Sequence, residues 1–361
     1  MTILLDVSPV AGGHGQRGIG RYVRGLLTAI ESWPPERRAA VYGVGLPGAL
    51  PRELDGRAFG YARLEARPLD LGWLTARTAL GSAARRARAT AIHSTDPYHP
   101  WVPEGPRRIA TAYDLIPLRE TAMLASWRLD HRWVYRRYLR QLRESDLVIA
   151  ISHATADDVA ERLGVDRTRI SVVYPAVAAP PPLERRPSPD DTFLYVGGLD
   201  THKQPELALE SFARYRAQTG RGSLHFVGPS GEAQREPLRR QARALGVGAV
   251  VSFRGHIPDS ELDEAFATAK ALLWTSRIEG FGLPPVEAIG RGVPVIAVDT
   301  PTARETLSAG ARIVSAGPDE IAQAMIDPHQ PSRAESRAIL ERFSPAATAA
   351  ALAAAYELAL A

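Results

Sequence analysis

Short apolar runs of strand length alternate along the whole chain with longer segments whose apolar residues recur at helical spacing. In the first half the runs lie at residues 3–7, 41–46, 91–94, 108–113, 146–152 and 170–174, and in the second at 193–196, 224–227, 250–254, 271–274 and 293–298. Buried parallel strands give continuous apolar runs, and strands that alternate with helices are typical of βαβ units. The pattern therefore predicts an α/β protein with two Rossmann-like parallel sheets.

A proline-dense stretch at residues 177–190 interrupts this alternation and has the composition of a semi-rigid linker. We therefore place one domain at residues 1–176 and a second at 191–343. Residues 344–361 are alanine-rich and predict a separate terminal helix. Further upstream, Thr302 and Glu305 have the spacing of a capping box, which predicts that a helix starts at Thr302.

The composition is that of a globular chain: of 361 residues, 45% are hydrophobic and 23% are charged. There is no cysteine, which excludes disulfides and thiolate metal sites and favours a reducing compartment, so we expect a cytoplasmic protein. The net charge of +4 is mild, and we expect no nucleic acid partner. Lys203 and Lys270 are the two lysines among 44 basic residues, which makes each lysine more informative than an arginine.

Residues 271–298 contain several candidate ligand-binding residues, and their pattern predicts a strand, a loop, a short helix and a second strand. Gly280, Gly282 and Pro284 break the loop, and the carboxylates Glu279 and Glu287 lie on either side of it. Ligands bind at the carboxyl ends of strands in open α/β sheets, and amides at a helix start favour anions. A phosphorylated and polyhydroxylated ligand fits such a site, because carboxylates accept hydroxyl protons.

These residues resemble the donor site of retaining GT-B glycosyltransferases of family 4. The matching segments are Glu-Gly-Phe-Gly-Leu-Pro at 279–284, Glu-Ala at 287–288 and Gly-Val-Pro-Val-Ile at 292–296. The resemblance implies that Glu279 meets the transferred sugar and that Glu287 holds the ribose diol. It implies that loop amides meet sugar and phosphate, at Gly280, Phe281, Gly282 and Leu283. The other reading is a well-capped βαβ unit in which Glu287 only complements the helix dipole.

Other segments of the second half extend the resemblance to the diphosphate and the base. Lys203 follows the strand at 193–196 and is implied to neutralise the diphosphate, because Gly198 stands where the family usually has an arginine. Asp259 lies in the segment that resembles the one beside the base, although it equally fits a helix N-terminus. In the first half, Gly18 and Gly20 resemble a glycine loop that closes over the donor diphosphate.

The acceptor side is predicted in the first domain. The segment from Tyr113 to Pro117 resembles a family motif that lines the cleft near the reacting carbon, with Tyr113 where histidine is common. Asp114 remains as its polar contact, which we count among the catalytic residues. Asp96 and His99 lie in a segment rich in turn formers and aromatic residues, which fits a sugar-stacking rim or an ordinary loop equally well.

A helix predicted at 127–144 carries an arginine stripe: Arg128, Arg132, Arg136 and Arg140 recur every fourth residue. One interpretation is a surface for anionic lipid or a phosphorylated acceptor, which would make the protein peripheral to the inner face of the membrane. The other is a solvated, salt-bridged helix face in an arginine-rich protein, and the sequence favours this second interpretation.

The function implied is transfer of a hexose from a nucleotide diphosphate sugar to a glycan, lipid-linked or small-molecule acceptor, with retention and a front-face mechanism. The terminal helix is implied to cross back to the first domain, in a GT-B arrangement of two domains facing a cleft. GDP-mannose is the first expectation for the donor. We expect no cofactor and no metal, because the chain has no Asp-x-Asp motif.

Three alternatives remain at this stage. A sugar-nucleotide epimerase shares the architecture but needs no acceptor. A non-catalytic sugar-nucleotide-binding protein would bind the donor and turn nothing over. A glycan phosphorylase with pyridoxal phosphate would need Lys203 or Lys270 as its Schiff-base lysine.

Overall fold

The computed structural model describes residues 2–10, 18–38, 40–45, 61–63, 81–97, 105–180, 183–307 and 310–361. The chain forms two compact units. Unit 1 consists of residues 1–176 together with 343–361, and unit 2 consists of residues 177–342. Unit 1 is therefore built from both ends of the chain.

The described part of the chain contains thirteen β-strands. They are β1 (Ile3–Asp6), β2 (Val41–Gly45), β3 (Tyr61–Arg63), β4 (Ala91–Ser94), β5 (Arg107–Ala112), β6 (Leu147–Ala150), β7 (Ile170–Val172), β8 (Thr192–Val196), β9 (Ser223–Val227), β10 (Val251–Gly255), β11 (Ala269–Trp274), β12 (Val295–Val298) and β13 (Arg312–Val314).

The helices alternate with these strands. They are α1 (Gly18–Glu31), α2 (Pro35–Arg38), α3 (Ile116–Arg119), α4 (Thr121–Ser126), α5 (Leu129–Glu144), α6 (His153–Leu163), α7 (Pro205–Thr219), α8 (Glu232–Ala244), α9 (Asp259–Thr268), α10 (Leu283–Gly290), α11 (Pro301–Leu307), α12 (Pro318–Ile326), α13 (Arg333–Arg342) and α14 (Pro345–Leu360). Residues 81–87 are also helical.

Each unit is built on one parallel sheet, so the predicted fold class is confirmed. The strand order is β3-β2-β1-β4-β5-β6-β7 in unit 1 and β10-β9-β8-β11-β12-β13 in unit 2. In both sheets the order reverses beside the first strand, between β1 and β4 and between β8 and β11. Ligands of doubly wound sheets bind at such switch points, outside the carboxyl ends of the strands.

The terminal helix α14 packs in unit 1, against α1 and the sheet, as predicted. Trp33 donates its indole N–H to the Ala349 carbonyl (3.1 Å), and Thr348 donates to the Tyr174 carbonyl (3.1 Å). In the described part of the chain, residues 333–360 are long and apolar enough to cross a membrane. The buried side chains of α14, including Leu352 and Tyr356, show that its apolar face is used inside unit 1.

The predicted linker at 177–190 is not a separate segment, because its residues belong to unit 2. Val177 is buried, and the main-chain N–H groups of Arg186 and Ser188 donate to the carbonyls of Ala267 and Thr268, each at 2.9 Å. Prolines supply no N–H of their own, yet the residues between them find acceptors at the end of α9. The pairing of this stretch with the end of α9 could not be inferred from its composition.

Candidate active site

The loops that follow β8 and β11 leave the switch point of unit 2 side by side. Leu194 of β8 is in register with Leu272 of β11, so both strands reach their carboxyl ends at the same level. Residues 197–204 follow β8, and residues 275–282 follow β11. The two stretches singled out from the sequence are therefore neighbours in the fold.

Lys203 and Glu279 meet at this point as an ion pair between Nζ and Oε1. Their side chains are 24% and 14% exposed, so the pair is largely shielded but still open to a ligand. Ser276 donates its hydroxyl to the same carboxylate oxygen at 3.0 Å. A lysine and a carboxylate separated by 76 residues thus form one polar centre.

Hydrogen bonds from the loop after β11 to main-chain carbonyls fix the position of Lys203. The Thr275 hydroxyl lies 2.9 Å from the carbonyl oxygens of both Lys203 and Gln204, and Arg277 donates its backbone N–H to the His202 carbonyl at 2.8 Å. Gln204 adopts a left-handed conformation (φ 48°), which is uncommon for a residue with a Cβ. The β11 loop therefore holds the lysine-bearing segment directly.

Gly282 is required by the shape of the second loop. Its φ is +90°, and a Cβ atom at this position would lie 2.6 Å from Cζ2 of Trp274, the last residue of β11. Helix α10 starts at the next residue, Leu283. Pro284 and Pro285 have no N–H, so Gly282 and Leu283 carry the main-chain donors closest to the start of the helix.

Two threonines of α11 hydrogen-bond to main-chain carbonyls of the Glu279–Gly282 loop. Thr302 donates its hydroxyl to the Glu279 carbonyl at 2.8 Å, and Thr306 lies 3.3 Å from the Phe281 carbonyl. The prediction that Thr302 caps this helix is wrong. Thr300 accepts the Ala303 N–H at 3.1 Å, and the hydroxyl of Thr302 is engaged with the loop instead. Sequence spacing could not distinguish these two roles.

Glu287 is buried (8% exposed) within α10. Helix α10 begins at Leu283, so Glu287 lies in its second turn. A carboxylate complements the helix dipole within the first turn, and the effect fades beyond it. The position thus weakens the reading of Glu287 as a simple dipole partner.

The glycines after β8 and β9 permit close contact between backbones. A Cβ atom at Gly228 would lie 2.2 Å from the Gly197 carbonyl oxygen. At Gly198 a Cβ atom would lie 2.8 Å from Oδ2 of Asp200, so the Asp200 carboxylate occupies the space that an arginine side chain would enter first. Asp259 is exposed at the first position of α9, and its contact with a base stays a prediction.

The switch point of unit 1 holds two carboxylates, Asp6 at the end of β1 and Asp96 after β4. Oδ2 of Asp6 accepts the Asp96 backbone N–H at 3.2 Å, and Ser8 donates its hydroxyl to Oδ1 of Asp6 at 2.6 Å. Burial, and then the charge of Asp96, raises the pKa of Asp6 to about 6. Sequence reasoning missed Asp6, although a carboxylate that ends the first strand of a parallel sheet is a usable signal.

Tyr113 is buried beside this pair and donates its hydroxyl to the Thr95 carbonyl at 2.8 Å. Burial raises the pKa of Tyr113 well above its ordinary value, so it acts as a neutral hydroxyl. Asp114 is half-buried and accepts the Ile116 N–H at 3.2 Å. His99 lies outside the described residues.

Gly18 and Gly20 do not lie in a loop, which corrects the sequence prediction. They occupy the first turn of α1, whose buried residues include Tyr22, Val23 and Leu26. The apolar helical pattern extends back to Gly18, and packing of that face carries the helix through both glycines. Residues 11–17 lie outside the described part of the chain.

The second lysine, Lys270, lies in β11 at the opposite end from the candidate site. Its Nζ is 3.3 Å from Oδ2 of buried Asp191, which also accepts the Tyr215 hydroxyl at 2.5 Å. This arrangement gives Lys270 a packing role. In the described ranges no three His, Cys, Asp or Glu side chains are grouped so as to hold a metal ion.

Two protein families match the chain along most of its length. Residues 17–179 match the family described as Glycosyltransferase Family 4, and residues 183–338 match Glycosyl transferases group 1. Together with the two parallel sheets and the motif around Glu279, these matches identify the class. The chain belongs to the family 4, group 1 glycosyltransferases of the GT-B fold.

Several known proteins are similar to it. The O-antigen chain mannosyltransferase of Salmonella typhimurium is 29% identical over 190 residues, 52% of this chain and 52% of that protein. A D-inositol 3-phosphate glycosyltransferase of Streptomyces bingchenggensis is 32% identical over 43% of this chain and 38% of that protein. The chain thus matches about half or less of these relatives' own lengths. The crystal structure of Anabaena HepE in complex with UDP and glucose covers 99% of both chains, with a TM-score of 0.72 and 16% identity.

Proposed function

We propose that the protein is a retaining glycosyltransferase that moves a hexose from a nucleotide diphosphate sugar to a hydroxyl-bearing acceptor. The observation that carries the proposal is the Lys203–Glu279 pair at the switch point of unit 2. A cation there can meet a diphosphate, and a carboxylate beside it can accept sugar hydroxyls. The main-chain donors of Gly282 and Leu283 lie in the same loop.

The reaction is written as a front-face displacement. The bond between the anomeric carbon and the diphosphate oxygen breaks, and its electron pair stays on that oxygen. The acceptor hydroxyl forms the new bond on the same face, and its proton passes to the departing phosphate oxygen. The products are a glycoside and a nucleoside diphosphate, with no other reactant.

In this scheme the chain stabilises the negative charge that grows on the leaving group. Lys203 turns from Glu279 toward the phosphates, and the loop amides add fixed dipoles that need no reorganisation. Glu279 orients the sugar, and Glu287 holds the ribose. On the acceptor side we assign Asp114, Asp96 and Tyr113, with His99 retained from the sequence. The lysine supplies the charge that a divalent ion would otherwise bring, so we expect chelators to leave turnover unchanged.

GDP-mannose is our proposal for the donor. It rests on the resemblance of Gly-Ile-Gly-Arg-Tyr at 18–22 and Asp-Leu-Ile-Pro-Leu at 114–118 to mannosyl- and rhamnosyl-type members that assemble bacterial polysaccharides. It rests also on the likeness to a protein named as a mannosyltransferase. UDP-hexoses are the competing choice, since the fold is shared with a protein crystallised with UDP and glucose. The cytoplasmic location stays a prediction.

Thermal unfolding of the full chain with GDP, UDP, dTDP and ADP tests the donor assignment. A ligand at about 100 times its Kd stabilises the folded state by about 2.7 kcal/mol, which is easily measured. We expect the largest shift with GDP, and its loss in Lys203→Ala. A larger shift with UDP would overturn GDP-mannose but keep the class. No shift with any nucleotide would overturn the site.

Turnover of the matching sugar nucleotide, followed by NMR, separates the enzyme from its alternatives. Release of nucleoside diphosphate that depends on an acceptor supports transfer. Conversion of the sugar without an acceptor would show an epimerase instead. Binding without turnover across glycan, lipid-linked and small-molecule acceptors would show a sugar-nucleotide-binding protein.

A further inference from the structure

Helix α5 in unit 1 exposes two large apolar side chains, although residues of this kind are usually buried in the core. Leu129 is 80% exposed and Trp133 is 47% exposed, and the two lie one turn apart on the same helix face. Among the described residues, the other exposed large hydrophobics lie singly on separate parts of the chain. They are Leu245, Ile326 and Leu358.

Arginines surround this apolar pair. Arg136, Arg137 and Arg140 continue the same face, and the Arg137 guanidinium lies over the Trp133 ring at 4.9 Å from its centroid. We call Leu129, Trp133, Arg136, Arg137 and Arg140 the α5 surface. From residue 128 to residue 144 the chain has six arginines and two acidic residues, so the region is strongly cationic.

The salt-bridged interpretation accounts for only part of this charge. Arg128 lies 3.3 Å from Asp130, and Arg140 lies 2.6 Å from Glu144. These are exposed pairs, which contribute little and dissociate readily. In the part of the chain that the structure describes, neither Arg132 nor Arg136 has an acidic partner. The stripe therefore keeps positive charge available.

The opposite face of α5 anchors the helix in unit 1. Tyr135, Tyr138, Leu139 and Leu142 are buried there against the sheet and its neighbours. The α5 surface is thus a side of a folded domain, held in a fixed orientation. Helix α5 is already folded within unit 1, so binding through the α5 surface requires no coil-to-helix transition.

We propose that the α5 surface docks on the anionic face of a lipid bilayer. Tryptophan and leucine enter the boundary between headgroups and acyl chains, and arginines are attracted to anionic headgroups. The combination favours a bilayer over a soluble phosphorylated ligand, which would need the charges but not the exposed apolar pair. The occupant is a membrane surface, which would bring the enzyme to a lipid-linked acceptor.

Co-sedimentation of the full chain with vesicles tests this proposal. One set contains phosphatidylcholine alone and the other contains 30% phosphatidylglycerol, at 0.1 M and 0.5 M salt. We expect at least tenfold stronger binding to the anionic vesicles, weakened at high salt. Leu129→Ser with Trp133→Ser should lower that binding at least tenfold. Arg136→Glu with Arg137→Glu should lower it further, since each arginine contributes on the order of fivefold.

Matched controls are available in the same unit. Arg85→Glu with Arg86→Glu changes the net charge equally at exposed positions of the helical residues 81–87, and Leu358→Ser removes an exposed leucine from α14. Both should bind vesicles like the unmodified protein. If these controls lose binding as strongly as the α5 variants, general charge or hydrophobicity is responsible and the proposal fails.

Because the chain has no cysteine, one introduced cysteine gives a single labelling site. An environment-sensitive fluorophore on Leu129→Cys should shift to the blue with anionic vesicles, and the same label on Leu358→Cys should not. Equal shifts, or none at position 129, would overturn the proposal. A loss of binding in the arginine variant without one in the Leu129/Trp133 variant would point to a soluble anionic ligand instead. None of these readouts depends on the donor chemistry, so they stand or fall separately from the proposed function.

Discussion

The two switch points of this protein share a topology and differ in charge. In unit 2 the loops after β8 and β11 bring together a lysine and a carboxylate, Lys203 and Glu279. In unit 1 the corresponding ends of β1 and β4 bring together two carboxylates, Asp6 and Asp96. The strand order thus determines where each sheet can bind, and the residues at the strand ends determine what is bound.

The difference fits a division of labour between the units. A cation beside main-chain donors favours a nucleotide diphosphate. Two carboxylates beside the neutral hydroxyl of Tyr113 accept hydrogen bonds and repel phosphate, which suits a polyhydroxylated acceptor. Burial, together with the charge of Asp96, also raises the pKa of Asp6, so Asp6 stays protonated to higher pH, and this property can be measured.

Of the substitutions proposed here, removal of the Lys203 side chain should lower activity the most. Loss of one positioned donor to a developing anion costs about 10²–10³ in turnover, or roughly 3–4 kcal/mol. We therefore expect Lys203→Ala to lower kcat/KM for transfer by that factor. Lys270→Met is the matched control, because it removes the other lysine: it should lower stability but retain turnover at 25 °C. Turnover of Lys203→Ala within threefold of the unmodified protein would remove Lys203 from the mechanism.

Gly282→Ala should have the next largest effect, because it strains the donor loop in two ways. The left-handed backbone costs about 1–2 kcal/mol for a residue with a Cβ, and the new methyl would overlap the Trp274 ring. We expect a stability loss of about 2–3 kcal/mol in urea unfolding and at least tenfold weaker nucleotide binding.

Two variants separate these causes. Gly292→Ala has a similar backbone angle (φ +71°) but open space around the Cβ, so it should cost only the backbone strain and leave nucleotide binding intact. Trp274→Phe in the Gly282→Ala background removes the overlapping ring atoms and should restore part of the binding. Equal behaviour of the two alanine variants would show that contact with Trp274 is unimportant.

Asp6→Asn should have the smallest effect, and it tests the carboxylate pair. Asp6 has a pKa raised from 3.8 to about 6 in the folded protein, so the folded state binds more protons than the unfolded state in that interval. Its contribution to stability is therefore complete below pH 4 and is lost as the pH rises through 6. Asp6→Asn should flatten this slope and raise the free energy of unfolding at pH 7.5 by about 1–2 kcal/mol.

Chemical unfolding at pH 4.5, 6 and 7.5 measures the effect. Asp190→Asn, at an exposed position, should leave the slope unchanged. A slope that is the same in Asp6→Asn and in the unmodified protein would show that the pKa of Asp6 is not raised in the folded protein.

The apolar pattern was sufficient to predict the fold. Parallel strands buried on both faces leave continuous runs, and the eleven predicted runs match eleven of the thirteen described strands within a few residues. The short strands β3 and β13 were not predicted. The motif around Glu279 and the rarity of lysine were sufficient to select Lys203 and Glu279, which the structure brings together. Both signals are local in sequence.

The remaining features depend on contacts between distant residues. Thr302 reads as a helix cap until the Glu279 carbonyl is placed beside it. Gly18 and Gly20 were assigned to a loop because they resemble a glycine loop of the family, but the packing of α1 carries the helix through both positions. Asp6 becomes noteworthy only when β4 brings Asp96 next to it. The direct pairing of Lys203 with Glu279 was likewise not foreseen, because each had been assigned to the donor.

The buried histidine of β4 ties the last helix of the chain to the first sheet. His93 lies 2.9 Å from the Tyr356 hydroxyl and 2.8 Å from that of Thr111, and burial lowers its pKa to about 3, so the ring stays neutral. Because Tyr356 follows unit 2 in the sequence, unit 1 remains incomplete during synthesis until α14 has emerged, while unit 2, encoded in between, can already fold. A nascent chain stalled before α14 would have a complete unit 2 and an incomplete unit 1. Synthesis can therefore complete unit 2 before unit 1.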